Sequence, residues 1–540
     1  MYRSSRDEHQ QVLDSFYLPF GGKLNPNNRW VKLAELVPWK EFEDEYAKHF
    51  PSELGPPTKP FRMALGAILI KHMKNLTDEQ TVEEIVENAY MQYFLGLEGF
   101  CDSAPFDETM MVHFRKRISA DMLTRINQRI VENQLKAEAV QPKQAPKQQS
   151  AAVDDDQEHP HQGMLQGFDA DADAAKKASS SSAATGPKSK KTPPDAGSTA
   201  AEKSAEEESD APKHQGKLLI DATCVPADIR YPTDLSLLNE AREKTEHLID
   251  ILHEPVRGTR KKPRTYRQKA RKDYLEIVKY RRKNRGNTRK AIRKQLQYVR
   301  RNLKSIAQLC ETVPLTILSR KHYRDLLVVS ELYRQQQEMY DRKVHSVSGR
   351  IVSISQPHVR PIVRGKDRSN VEFGAKVSVS LVNGYSYLDT VSWEAYHEGH
   401  ELIEQVASYQ RRFGYYPESV HADKIYQNRE NRKFCKEKGI RLSGPPLGRP
   451  PKDRKIHKEQ KRITRSDELA RIPIEGAFGT LKRRYGWDLV KEKLAVTSEH
   501  AIAAAVLAMN MDRILRILFV LWWKYLKNRF SWPIFVVKTA

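Results

Sequence analysis

Apolar residues along the chain change their spacing at two places, and the changes divide it. Ahead of residue 135 they recur at helical intervals. Thr77 and Gln80 read as a capping box, followed by Val82, Ile85, Val86 and Ala89. A second helix is expected after Pro105, with Asp107 as its N-cap and Met110, Met111 and Phe114 on its apolar side. From 141 to 216 the periodicity stops. That stretch is Ala, Ser, Pro, Lys, Gln and Asp, lacks Ile, Trp and Tyr, and has too little apolar surface to offset the entropy of ordering. Beyond it, short apolar runs alternate with helical patterns. Lys217-Leu-Leu-Ile220 reads as a buried strand ending at Asp221, and Ser419-Val-His-Ala422 as another ending at Asp423. Residues 371–393 alternate around Asn383-Gly384, a hairpin signal. Residues 239–340 are mostly helical, and 428–438 read as a helix closed by Gly439.

These elements predict an all-helical N-terminal domain over 15–135, a disordered linker over 136–216 and an α/β domain over 217–515. A basic helical insertion occupies 240–345 of that domain, and a C-terminal helix or tail covers 516–540. The most apolar stretch, 501–523, is interrupted by Asp512, Arg513 and Arg516, and its clean run over 517–523 falls far short of the ~20 residues a bilayer requires. It reads as a buried helix, so no membrane partner is expected. The four cysteines, Cys101, Cys224, Cys310 and Cys435, have no metal-ligand spacing and suit a reducing cytoplasm.

Charge sharpens the picture. The 540 residues hold 92 Lys and Arg against 69 Asp and Glu, a net charge of +23, which favours a polyanionic partner, nucleic acid first. The segment 141–216 holds 13 acids and 9 bases, so the surplus lies elsewhere. Residues 257–304 alone carry 21 Lys or Arg and two acids, Asp273 and Glu276, with Tyr266, Tyr274, Tyr280 and Tyr298 interleaved. That density reads as a surface tracking DNA or RNA, set against the plainer reading of a solvated face. Arg115-Lys116-Arg117, at the end of the second N-terminal helix, either meets DNA phosphates or complements the helix C-terminus.

Three acids stand out. Asp221 and Asp423 each follow an apolar strand run, the place where ligands and metals gather in α/β domains. Taken singly, each reads equally as a turn residue or cap. The third acid, Glu475, lies in Ile472-Pro-Ile-Glu475-Gly-Ala-Phe-Gly-Thr-Leu-Lys482, expected as a helix with Pro473 in its first turn. Lys482 follows Glu475 by two turns on one face, and Arg471 shares that face if the helix reaches back to it. An acid between two cations suits a metal-bound phosphate, although a surface ion-pair helix gives the same spacing.

In these motifs the chain resembles the DDE transposases of bacterial insertion sequences with an InsH-type N-terminal domain. The resemblance covers roughly 15–135 and 216–515. It rests on Leu-Ile-Asp221-Ala-Thr with Tyr231-Pro-Thr-Asp234, on Arg364-Gly-Lys366 leading to Glu372-Phe-Gly-Ala-Lys376, on Ala422-Asp423-Lys-Ile-Tyr426, and on Arg471, Glu475 and Lys482 at the family's intervals. Where many relatives carry a tyrosine, three residues before Arg471, this chain has Glu468.

The resemblance implies an RNase H-like catalytic fold in a bacterial, cytoplasmic, nucleoid-associated enzyme. It implies two Mg²⁺ or Mn²⁺ ions held by Asp221, Asp423 and Glu475, two-metal cleavage and strand transfer of DNA, and DNA contacts from Arg471, Lys482 and Lys376. Arg115 and Lys116 join that set from the N-terminal domain. The expected partners are terminal inverted repeats and target DNA, with a homodimer or larger assembly in the active complex. The competing readings are an RNase H-like nuclease or resolvase, a DNA-binding protein descended from a transposase, and a structural RNA-binding protein, which leaves the ordered carboxylates unexplained.

Overall fold

The computed structural model describes residues 16–18, 21–50, 58–140, 214–280, 284–366, 369–445, 448 and 453–529. The expected linker falls outside them except at its two ends. At one end a helix continues to Val140, and at the other residues 214–216 lead into the first strand.

The N-terminal part is helical: α1 (Arg29–Leu36), α2 (Trp39–Ala47), α3 (Phe61–Lys74), α4 (Asp78–Glu87), α5 (Ala89–Phe94), α6 (Met110–Arg117) and α7 (Ala120–Val140). The capping box is present at α4, with Thr77 accepting from the Gln80 N–H and Gln80 accepting from the Thr77 N–H. The N-cap of α6 is Thr109, not Asp107. Asp107 sits two residues earlier and accepts from the Thr109 N–H at 2.9 Å, a local Asx turn that competes with capping.

β1 (Lys217–Pro226) is followed by the helical insertion: α8 (Asp234–His253), α9 (Arg267–Val278), α10 (Arg285–Cys310) and α11 (Arg320–Arg342). Then come β2 (Arg360–Lys366), β3 (Ser369–Val382), β4 (Tyr385–Ser392), α12 (Leu402–Phe413), β5 (Ser419–His421), α13 (Arg429–Glu437), β6 (Arg441–Leu442), α14 (Arg454–Arg484) and α15 (Ala495–Arg529). The sheet runs β2-β3-β1-β5-β6, with β4 also on β3. β3 is antiparallel to β1, β2 and β4, while β5 is parallel to both β1 and β6. Asn383 (φ 52) and Gly384 (φ 82) form the two-residue turn between β3 and β4, the positive φ at both positions that such hairpins need. Gly374, in the Glu372-Phe-Gly-Ala-Lys376 motif, lets β3 close on β1, because a Cβ there would lie 2.0 Å from the Val225 carbonyl oxygen.

The N-terminal helices do not form a separate globule. One apolar core runs from Trp30 and Leu69 through Ile126 to Val379, Phe478 and Leu507. A buried polar knot pins it: Asn510 donates to Asn127 (2.8 Å) and to the Ser386 carbonyl (2.7 Å), Asn127 donates to that same carbonyl, and the Ser386 N–H donates to Asn510. α15 is one continuous helix through the boundary expected at 515. Its buried part runs over 497–514, with Arg513 turned out to solvent. The end expected to be buried is not, since Phe519 is 60% exposed and Val520 48%, the helix having run past the α3, α7 and β4 surfaces that cover its first half. No helix among the described residues is long and apolar enough to cross a membrane.

Candidate active site

Strand register gathers the acids. β1 and β5 are parallel neighbours with Lys217 beside Ser419, Leu218 beside Val420 and Leu219 beside His421. Continued by two residues, that register sets Asp221 level with Asp423. The two differ in setting. β1 does not end at Ile220 but continues to Pro226, so Asp221 lies mid-strand opposite Val379, because β3 pairs with β1 from Leu219 to Pro226. β5 does end, and Asp423 caps the 3₁₀ turn Lys424–Tyr426 by accepting from the Lys424 N–H at 2.7 Å.

The third acid comes from α14, which packs on β1 and β5 through Ile474 and Phe478. Pro473 is not in its first turn. The helix starts nineteen residues earlier, capped by Asp453, and Pro473 is interior and exposed. Leu469, whose carbonyl loses a donor to the proline, is itself 58% exposed, so water is at hand and the helix continues. Arg471 therefore shares a helical face with Glu475. α14 is anchored near its middle by Asp467, buried at 5%, which takes Arg441 at 2.7 and 3.0 Å and the Gly444 N–H at 3.3 Å. Burial pushes the Asp467 carboxyl up, but those donors outweigh it and hold it below its ordinary value. Sequence reading passed over Asp467, since an acid among the many charges at 453–471 carries no periodic signal. Glu468, in the place of the family tyrosine, is exposed.

All three acids face one guanidinium. Arg471 lies 3.3 Å from Asp423 Oδ1, 3.6 Å from Asp221 Oδ2 and 3.9 Å from Glu475 Oε1. The guanidinium group is largely buried, and its Nε has no partner among the described residues. Asp221 is the enclosed acid, at 17% exposure against 51% for Asp423 and 63% for Glu475. Burial raises its carboxyl to about 6. The Ala222 N–H at 2.8 Å and Arg471 oppose that rise, while Glu398 and Asp423 add to it. Glu398 is a further acid that sequence reading did not weigh. It sits in the 3₁₀ turn Glu398–His400, outside any strand-end or helical pattern. Among the described residues no three acid, histidine or cysteine side chains enclose an ion as they stand, and Arg471 stands between the acids.

The expected DNA contacts fall differently. Lys482 is half-buried on α14, two turns beyond Glu475. Lys376 is turned inward, at 13% exposure, donating to the Tyr396 carbonyl (2.7 Å) and pairing with Glu398 (3.0 Å), so its charge is spent on an internal acid. Arg115 is buried at 6% and holds both Asp78 oxygens at 2.7 Å, which removes it from the phosphate contacts. The cause is its position on the apolar side of α6 next to Phe114. Lys116, one step around the helix, is exposed.

Two segments match known families. Residues 420–512, holding Asp423, Glu475 and the first half of α15, match the family described as Transposase DDE domain, and residues 19–117 match Transposase domain (DUF772). Both matched segments are thus similar to transposase families. It is 35% identical over 119 residues to an uncharacterized protein, ORF8 of the nfe locus in Rhizobium meliloti, a span that is 22% of this chain and 57% of that protein. The chain thus spans just over half the length of that relative. No solved structure matches it. Asp221 precedes the matched DDE segment, so its place in the site rests on the register and on Arg471.

Proposed function

We propose that the chain is a DNA transposase that cleaves and rejoins insertion-sequence ends, with Asp221, Asp423 and Glu475 as its catalytic acids. The observation that carries this is the meeting of three acids, 202 and 52 positions apart, around the Arg471 guanidinium. The sheet supports an RNase H-like reading: a central strand bearing one acid, an antiparallel hairpin on one side and two short parallel strands on the other.

The donor set fits a hard divalent cation. It is all carboxylate, one member is desolvated, and a cation already lies in its midst. Asp221, Asp423 and Glu475 would hold Mg²⁺ or Mn²⁺, which when bound would supply an activated water and stabilise the leaving oxygen. With the acids so occupied, Arg471 would be free to face the next anion in reach, a DNA phosphate, where its planar fork suits two oxygens. Lys482 grips phosphate two turns farther along α14. Lys376 acts from within, neutralising Glu398 so that this fourth acid does not raise Asp221 further. Terminal inverted repeats and target DNA are the substrates, and bringing two ends together requires at least two copies.

The test is cleavage and strand transfer by the full chain, with Mg²⁺, on a duplex carrying the inverted repeats that flank its gene. Asp423→Asn is expected to abolish both reactions. Cleavage at the wild-type rate by that variant overturns the assignment.

A further inference from the structure

α10 packs on α8 and α9 with one face and shows the other to solvent. Leu296, Val299, Ile306 and Leu309 are on the covered face. Opposite them stand Lys290, Arg293, Arg300, Arg301 and Lys304, all exposed. At 100° per residue these five fall within roughly 100° of the helix circumference, and at 1.5 Å per residue they extend over about 21 Å. The helix contains no acid. Among the described residues, none of the five makes an ion pair or hydrogen bond, and Arg301 instead lies over two tyrosine rings.

The neighbouring α11 shows what a solvated charged helix looks like in the same protein. There Arg334 pairs with Glu331 (2.6 Å) and Glu338 (3.1 Å), and Arg342 pairs with Glu338 (2.8 Å). A cationic row without such counter-charges repels itself and is relieved by a polyanion.

A second feature joins the row. Tyr266 has φ 57, a left-handed backbone that a bulky residue adopts only under strain. Two guanidiniums lie over its ring, Arg264 at 4.7 Å and Arg301 at 4.6 Å. The strained residue thus fixes Arg301 and brings Arg264, from outside the helix, to the same surface.

We propose that this face of α10, extended by Tyr266 and Arg264, is a docking surface for the phosphate backbone of duplex DNA, separate from the three acids. It rests on the reading that DNA is the substrate. Duplex DNA presents one negative charge per about 1.7 Å of axis, so a 21 Å row runs past some twelve phosphates and needs no base sequence to engage them. In the working enzyme the surface holds DNA away from the cut and sets its path across the insertion.

The test uses the full chain, EDTA, and a labelled 30-base-pair duplex of arbitrary sequence, with affinity measured by fluorescence anisotropy across a salt series. Replacing Lys290, Arg293, Arg300, Arg301 and Lys304 together by Gln is expected to lower the slope of log affinity against log salt by about four units, and Arg301→Gln alone by about one. Arg334→Gln, on the paired helix, leaves the slope unchanged. Tyr266→Gly weakens binding without lowering the thermal midpoint, because glycine accepts φ 57 freely. An unchanged slope in folded Arg301→Gln and in the fivefold variant overturns the proposal. So does an equal loss in Arg334→Gln, or tighter binding of a matched RNA duplex. If the fivefold variant does not fold, the single replacements decide. Wild-type protein with no salt-dependent binding to any duplex defeats the DNA reading itself, a different outcome from wild-type binding that ignores α10.

Discussion

In metal-free protein, Asp221→Asn should stabilise the fold, and increasingly so as pH rises. The Asp221 carboxyl is raised from 3.8 to about 6, chiefly by burial. Between those values the folded chain keeps a proton that the unfolded chain has shed. The raised group therefore favours the folded state at low pH, and this advantage is lost as pH climbs through about 6. Asparagine has nearly the shape of the protonated acid and does not titrate, so the variant escapes the loss. A rise of about two units corresponds to about 3 kcal/mol once both states are ionised, near pH 8, and to only about 0.5 kcal/mol near pH 4. Asp221 is 17% exposed, so solvent screening takes little from this figure. The assay is urea denaturation of wild type and variant, in EDTA, at intervals across that range. Excess Mg²⁺ should then narrow the gap at pH 8 by stabilising wild type alone, as binding to the folded state must. A variant no more stable than wild type at pH 8 refutes the claim that the site holds a desolvated, under-neutralised acid. A gap that ignores Mg²⁺ refutes the claim that the acid exists to meet a cation.

Other outcomes follow from the same geometry. Glu475→Gln should abolish cleavage with DNA affinity almost intact, and full activity would reduce Glu475 and Arg471 to a surface ion pair worth under ~1 kcal/mol. Lys482→Ala should weaken end binding and lower the salt slope by about one unit, measured on the inverted-repeat duplex. Asn510→Ala strips partners from Asn127 and from the Ser386 N–H and carbonyl inside the core, and should cost about 2–4 kcal/mol in denaturant unfolding. A loss under about 1 kcal/mol would show that the knot does not couple α7, β4 and α15. Limited proteolysis should cut first within 141–216, whose composition cannot build a core, and protection there would contradict that reading.

Much of the scaffold was readable because short-range chemistry writes it. The Thr77–Gln80 box, the Asn383-Gly384 turn and the Asn428–Gly439 helix each need only a few neighbouring residues to specify them, and all three are present. The three acids were found as strand-end and helix acids in the family's order, but what gathers them was not visible. Neither the alignment of Asp221 with Asp423 nor the reach of Arg471 to all three acids follows from one-dimensional spacing, because a strand register and a helix-to-sheet contact set them. The errors share a cause. Arg115 was read by its charge and Lys376 through the resemblance, and neither says which way a side chain turns. Asp78 and Glu398, each distant in sequence, claimed them. Pro473 was read as a helix start, and tertiary packing of Ile474 and Phe478 carried the helix through it. The exposed end of α15 is a matter of length, since the helix outruns the surfaces that cover it.

The two electrostatic regimes of the chain are opposite in sign, and their separation is what the chemistry needs. The chain carries a net charge of +23, and on α10 Lys290, Arg293, Arg300, Arg301 and Lys304 have no acid partner among the described residues. Around Asp221 the balance reverses: among the described residues, the cations that Asp221, Asp423, Glu475 and Glu398 pair with are Arg471 and Lys376. DNA drawn in by the first regime would be repelled by the second if those acids stood alone. A negative site can accept a phosphate only by taking up positive charge. The proton held by Asp221 up to about pH 6 is one source and the Arg471 guanidinium another. Neither activates a nucleophile. A divalent cation held by the acids would supply the missing charge and the reactivity together, and would leave Arg471 free to face the phosphate. On this account the raised carboxyl of Asp221, the threefold pairing of Arg471 and the inward turn of Lys376 express one charge deficit in the cation-free protein.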